Sequence, residues 1–253
     1  MSPVAPRVSI LVATWNCGPQ LAQFLESLAA QSWRDWQLLL LDNASSDGTA
    51  GLVEAFRRRL GCPERLVWSS QPDSGIYDAW NRGLQLATGE YFCFIGADDV
   101  FVDAQSLERI AGLTASGADL ITARNAYYAA DGRLLRHWGS GWQWRRMRQS
   151  MTIAHPAMLL RRELFGRFGA FDARFRICGD YEWLLRLPPS LRSVHSSDAI
   201  LNVVQAGISH TRIGQVYAET FRAQRRYLGW LPSAGCWALN WLKYGRRRLI
   251  GLA

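Results

Sequence analysis

The sequence is short of the features that would send a chain out of the cell or into a bilayer. No charged segment followed by an apolar one opens it, so no secretory signal is expected. No run of about 18 apolar residues occurs, which argues against a membrane-spanning helix. Cysteine is sparse and odd in number, at positions 17, 62, 93, 178 and 236, without CxxC spacing. That excludes a disulfide framework and a zinc ribbon, and reads as reduced packing cysteines of a cytosolic protein. His137, His195 and His210 show no metal-ligand spacing. Neither GxGxxG nor GxxxxGK[ST] is present, so a dinucleotide fingerprint and a P-loop are both missing. Acid is nearly absent from the end of the chain. Residues 201–253 carry eight Lys/Arg against Glu219 alone, a local charge of +7, while residues 1–200 sum to +1. Such asymmetry points to an anionic partner for one end of the molecule.

What is there is a core. The 253 residues are 49% apolar, enough for one large domain or a domain with an extension. Val8 to Thr14 is a β-rich apolar run, and Leu21, Phe24, Leu25 and Leu28 repeat with the period of one helix face. Leu38 to Leu41 is a second strand, followed by a helix with Leu52, Val53 and Phe56. Leu66 to Trp68 is a third strand, Ile76 to Ala87 a helix, and Glu90 to Ile95 a fourth strand. Strand and helix in alternation predict an α/β fold with a parallel sheet covered on both faces. Ligands then bind at the carboxyl ends of the strands. Those ends read Thr14-Trp15-Asn16, Asp42-Asn43, Gln71-Pro72-Asp73 and Asp98-Asp99. With no phosphate loop available, a phosphate ligand needs another device. Adjacent acids holding an oxygen-loving cation such as Mg²⁺ or Mn²⁺ would provide it.

Five blocks in order then carry a resemblance: VSILVATWN (8–16), LLLLDNASSDGT (38–49), SGIYDAWNRGLQLATGEYFCFIGADD (74–99), AHPAMLLRRELF (154–165) and FRICGDYEWLLRL (175–187). Together, over residues 7–190, they resemble the family 2 glycosyltransferases. The resemblance implies a GT-A fold, Rossmann-like with a mostly parallel sheet and helices on both faces. It also implies inverting transfer of a hexosyl or acetamidohexosyl unit from a nucleotide-diphosphate sugar, a UDP-sugar above all, with Mn²⁺ or Mg²⁺. By carry-over Asp99 would ligate the metal and Asp98 would face the donor ribose. Trp15 would stack on the nucleobase, flanked by Thr14 and Asn16. Asp42 and Asn43 match a position often Asp-Asp, where the second residue contacts uracil; here an amide replaces that acid. Asp78, one helical turn from Asn81, would line the donor site or lie on a solvated helix face. His155 matches a polar position near the acceptor. Asp180 matches the second member of a Glu-Asp pair at a helix start, with Gly179 in place of the first. It reads as the general base and equally as a helix N-cap, with Glu182 as the runner-up base.

The second half is expected to serve the acceptor. Asp131-Gly132 reads as a hairpin turn. Residues 133–148, RLLRHWGSGWQWRRMR, hold five arginines, three tryptophans and no acid, a composition suited to a loop closing over phosphates. The boundaries read as a catalytic domain over 1–210, divided near residue 100 into donor and acceptor halves, and a helical, basic, Trp-rich extension over 211–253. Trp230, Trp237 and Trp241 beside the basic run 243–248 fit an interfacial anchor on the cytoplasmic face of the inner membrane, or a helix packed on the domain. The processive Gln-x-x-Arg-Trp sequence is missing, with Gln224-Arg225-Arg226-Tyr227 a partial echo, so a single sugar is expected to move to a glycan or lipid-linked acceptor. The alternatives are a sugar nucleotidyltransferase, which would need a Gly-rich basic loop near the first strand, and a nucleic-acid-binding protein, for which no recognition motif stands out.

Overall fold

The computed structural model describes residues 6–205 and 207–249, the last three by backbone alone. The first half runs β1 (Val8–Thr14), α1 (Gly18–Ala29), β2 (Trp36–Asp42), α2 (Thr49–Arg59), β3 (Leu66–Ser70), α3 (Ile76–Leu86) and β4 (Tyr91–Gly96). The second runs β5 (Val100–Phe101), α4 (Ser106–Gly112), β6 (Leu120–Tyr128), β7 (Leu134–Trp138), α5 (Trp144–Met147), β8 (Met158–Arg161), α6 (Glu163–Phe168), α7 (Gly179–Leu184), β9 (Ser193–Val204), α8 (Ile208–Thr211), α9 (Ile213–Leu228) and α10 (Trp230–Leu249).

One sheet gathers the strands in the order β3-β2-β1-β4-β8-β6-β9-β5, with β7 added beside β6. The pairs among β1, β2, β3 and β4 are parallel, as the alternating pattern predicts. The pairs β4 with β8 and β6 with β8 are antiparallel, so the sheet is mixed beyond β4. Successive side chains of a strand point to opposite faces, and the apolar runs therefore feed two cores. Ile10, Val12, Leu38 and Leu40 pack with Phe24, Leu28, Val53 and Ile110 on one face. Leu11, Leu39 and Leu41 pack with Tyr77, Trp80, Leu164 and Trp183 on the other. Burying each such leucine contributes about 1.5–3 kcal/mol, which is why β1 and β2 tolerate so little polarity.

The helix starts have local causes. Pro19 sits in the first turn of α1, where no N–H is missed. Asp47 accepts the N–H of Gly18 at 2.9 Å and of Thr49 at 3.2 Å, serving the first turns of both α1 and α2. Gly48, at φ +89°, makes the turn from Asp47 into α2.

Residues 120–122 of β6 pair with β8, while residues 125–128 pair with β7 through the expected hairpin, turned at Gly132 with φ +83°. The basic segment 133–148 is thus only partly a loop: it forms β7, a turn and the short α5. At the end of the chain, α9 buries Glu219, Ala223 and Gln224. α10 lies on α9 through Tyr217, Trp241 and Tyr244, with the Tyr217 and Trp241 ring centroids 4.8 Å apart. Among the described residues no helix is long and apolar enough to cross a membrane.

Candidate active site

The carboxyl ends of β1, β2 and β3 meet around Asp42. Its two carboxylate oxygens accept from Thr14 Oγ1 (2.9 Å), Ser45 Oγ (2.5 Å), Ser45 N (2.9 Å) and Ser70 Oγ (2.7 Å). Asp42 thus braces this edge through three hydroxyls and a backbone amide. Two residues beside it hold the left-handed conformation without being glycine: Asn16 at φ +46° and Ala44 at φ +49°. Each such residue costs about 1 kcal/mol or more and persists only where its surroundings impose it. Here Asn16 Oδ1 accepts from Ser46 N, and Asn16 N–H donates to Ser45 Oγ, both at 2.9 Å. Asn43 Oδ1 accepts from Asp73 N at 2.8 Å. Trp15 rises from the same edge, 66% exposed. Asp78 accepts from the backbone and hydroxyl of Ser74, fixing the turn into α3. Asn81 is tied to both backbone groups of Phe171 at 2.9 Å.

At the end of β4 the two acids part company. Asp98 is exposed, whereas Asp99 is only 4% exposed and accepts one N–H, from Gly96 at 2.9 Å. Burial, and then the neighbouring Asp98 charge, push the Asp99 carboxyl up to about 8. A methyl group added at Gly96 would fall 2.7 Å from Asp98 Oδ1 and 3.0 Å from Asp99 Oδ2. The two carboxylates therefore converge over a residue with no side chain to keep them apart. Among the described residues no three or more His, Cys, Asp or Glu side chains are grouped so that they could hold a metal ion by themselves. The donor set fits a hard cation that keeps water or phosphate oxygens as its other ligands.

Asp180 faces this pair across a cavity. It lies in the first turn of α7, and the cap position belongs to Cys178 rather than to Asp180. The three backbone N–H groups leading up to and including the cap residue are bound by a side chain from α9. The Glu219 carboxylate accepts from Arg176 N (3.1 Å), Ile177 N (2.9 Å) and Cys178 N (2.9 Å), as well as from Gln215 Nε2 (3.1 Å). Asp180 Oδ1 lies 3.1 Å from the Tyr77 hydroxyl, whose one proton it shares with the Ile177 carbonyl at 2.7 Å. Gly179 also has a local reason. A Cβ there would meet the Tyr77 ring at 2.7 Å, so the first acid of the family's pair has no room. Glu182 points elsewhere. It is fully buried and engages Arg186 (2.5 Å), Arg226 (2.8 Å) and the Tyr227 hydroxyl (2.5 Å).

His155, 9% exposed, stacks on Trp80 with ring centroids 5.2 Å apart. Its Nε2 has no hydrogen-bond partner. Burial pulls its pKa down, against a smaller upward pull from Asp180, so the imidazole is neutral at pH 7.

A cavity of about 430 Å³ brings Asp98, Asp99, His155 and Asp180 together. Thr14, Trp15, Asn16, Asp42 and Asn43 form a separate group at the β1–β2 edge, and Asp78 sits at the start of α3. Among the further lining residues that sequence reasoning did not assign to this pocket are Tyr77, Arg176 and His210. Tyr77 lies inside one of the recognised blocks. Arg176 lies inside another, 175–187, whereas His210 carries no sequence signal, since its position follows from α8.

A sheet of this topology with an acid pair at the end of β4 and a carboxylate across the pocket defines a GT-A transferase. A model of glycosyl transferase family 2 matches residues 9–171, and the chain belongs to that family. It is 35% identical over 184 residues to a PGL/p-HBAD biosynthesis glycosyltransferase of Mycobacterium tuberculosis, covering 72% of this chain and 70% of the relative. Among solved structures it is similar to Staphylococcus aureus TarS 1-349 in complex with UDP-GlcNAc, with TM-score 0.69 and 18% identity over 87% of this chain and 65% of that one. It is also similar to the mannosyltransferase PcManGT from Pyrobaculum calidifontis in complex with GDP-Man and Mn²⁺, with TM-score 0.63 and 17% identity over 92% of this chain and 74% of that one.

Proposed function

We propose that the protein is an inverting, divalent-metal-dependent glycosyltransferase. It would move one hexosyl or acetamidohexosyl unit from a UDP-sugar to a glycan or lipid-linked acceptor. The observation that carries this reading is the single cavity shared by Asp98, Asp99, His155 and Asp180. The relative's role in PGL/p-HBAD biosynthesis supports sugar transfer, and the UDP-GlcNAc held by TarS supports a UDP-sugar donor.

In this reading the edge at Thr14, Trp15, Asn16, Asp42 and Asn43 receives the nucleoside, with the Trp15 ring free to stack on the base. Asp98 faces the ribose, and Asp78 holds the turn beside the donor. Asp99 would hold Mn²⁺ or Mg²⁺, which when bound neutralises charge growing on the leaving diphosphate. Asp180 takes the proton of an acceptor hydroxyl. The hydroxyl oxygen bonds to the anomeric carbon as that carbon's bond to the diphosphate oxygen breaks, and the electron pair leaves with UDP. The Tyr77 hydroxyl orients Asp180, and neutral His155 offers its unpartnered Nε2 to an acceptor hydroxyl.

We read residues 1–210 as the catalytic unit and 211–253 as an extension that is built into it through Glu219 and Gln224. Leu231, Ala238, Leu239 and Leu242 are exposed along one stripe of α10, with Arg246 in line. That stripe supports peripheral contact with the cytoplasmic face of the inner membrane, and no nucleic-acid partner. The side chains of Arg247 and Arg248 lie outside the described residues.

Asp180→Asn tests the mechanism, because it keeps shape while removing the base. Turnover should fall roughly 10²–10⁴-fold with UDP-sugar binding nearly intact. Near-native transfer by Asp180→Asn would refute Asp180 as the base, and Glu182, buried against Arg186, Arg226 and Tyr227, is in no position to replace it.

A further inference from the structure

A second cavity, about 610 Å³, lies between β7, the turn after it and the two tail helices. It shares Arg136, Trp138 and Met151 with the pocket of Asp98, Asp99 and Asp180. Its charge is of one sign. Arg124, Arg136, Arg146 and Lys243 line it, and no Asp or Glu does. Among the described residues, Arg124, Arg146 and Lys243 form no ion pair, although the chain elsewhere pairs arginines with acids repeatedly. Like charges gathered around one hollow repel each other, and a bound anion relieves that repulsion. Arginine forks and a lysine ammonium suit phosphate oxygens. α10 brings Lys243 to this wall and, one residue earlier, exposes Leu242 in the apolar stripe of the same helix.

We propose that this cavity binds the phosphate of an amphiphilic acceptor, a phosphate ester on an apolar chain. Arg124, Arg146 and Lys243 are its cations, and the stripe of α10 lies beside the chain. The shared residues Arg136 and Trp138 then form the passage by which the acceptor's sugar-accepting end reaches Asp180. The inference rests on the neighbouring pocket being the transfer site, but it concerns different residues and is read by a different ligand.

Calorimetric titration of the full chain tests it, with UDP and Mn²⁺ saturating so that the neighbouring pocket is filled. The probes are farnesyl phosphate, farnesol and inorganic phosphate. Farnesyl phosphate should bind at one site per chain, inorganic phosphate more weakly at the same site, and farnesol negligibly. Arg124→Ala, Arg146→Ala and Lys243→Ala should each weaken farnesyl phosphate roughly fivefold, near the top of the range for a solvent-open ion pair. UDP affinity and melting temperature should not change, because all three side chains are exposed and unpaired. Equal binding of farnesol and farnesyl phosphate would overturn the proposal, as would indifference to the triple substitution. Inorganic phosphate binding as tightly as farnesyl phosphate would refute the amphiphile and leave a free-phosphate site. Failure of UDP to bind at all would count against the transfer reading and leave the farnesyl phosphate result to stand or fall alone.

Discussion

Removing the Glu219 carboxylate should damage an active site to which it contributes no reacting atom. Glu219 is 6% exposed, and its oxygens receive three consecutive backbone N–H groups at 2.9–3.1 Å. Those groups belong to Arg176, Ile177 and Cys178, which lead through Gly179 to Asp180. Glu219→Ala leaves them without a partner in a largely closed space. Each hydrogen bond to a charged group is worth about 1.5–3 kcal/mol, and water entering the vacated volume would recover part of the sum. A net loss of about 3–5 kcal/mol follows, or a fall in melting temperature of roughly 6–15 °C for a chain of this size. Glu219→Gln keeps volume and one acceptor oxygen and should lose about half as much. In both variants kcat should drop more than donor affinity, because the disturbed segment carries Asp180 and not the β1–β2 edge. The variant also has a pH signature. Burial raises the Glu219 pKa, but the N–H groups of Cys178, Ile177 and Arg176 and the Gln215 amide outweigh it, so the pKa lies below the ordinary value. A depressed carboxylate stabilises the fold fully above the unfolded pKa, near 4.3. That contribution disappears as pH falls through the folded value, so wild type should lose stability there and Glu219→Gln should not lose this component. Melting curves from pH 3 to 7, paired with initial rates and UDP titrations, read all three effects. Wild-type melting temperature and kcat in Glu219→Ala would refute the reasoning.

Three other outcomes follow from the site. Mn²⁺ should bind with an affinity that climbs about tenfold per pH unit and levels off above about 8, because Asp99 must shed its proton first; Asp99→Ala should remove metal-dependent UDP binding, and a flat pH profile in the native chain would disprove the coupling. Gly179→Ala should cost about 1–3 kcal/mol and displace Tyr77, given the 2.7 Å approach; an unchanged melting temperature and rate would mean the turn yields freely. Arg246→Gln with Leu239→Ser and Leu242→Ser should move protein from anionic vesicles into the supernatant, and vesicle binding insensitive to salt and to all three changes would end the membrane reading.

The donor half was legible because burial on both faces of β1, β2 and β4 writes itself as unbroken apolar runs, and helix α1 as Leu21, Phe24, Leu25 and Leu28, all four buried. The acid pair was legible because carboxylates at the end of such a strand demand a partner. β9 was not. Its twelve residues, SVHSSDAILNVV, include an acid and three serines, and they are extended because β6 offers a register, not because their own preference dictates it. The same holds for Glu219. In sequence it was only the lone acid of a basic tail, and its role depends on a contact 41 residues away along the chain. The Asp42 side chain, assigned to the nucleotide, proves to be bound by three hydroxyls, a network no local pattern announces.

Lys243 is the only lysine among the 253 residues, and its ammonium stands on the wall of the second cavity. Every other side-chain cation outside the histidines is a guanidinium, which ignores reagents that acylate or reductively alkylate amines. The chain is therefore addressable at one side chain by ordinary amine chemistry, the α-amino group aside. A fluorophore or a photocrosslinker placed there would sit at the entrance of the cavity without any substitution being made. Protection of that single amine by a phosphate ester would measure occupancy directly, on unmodified protein.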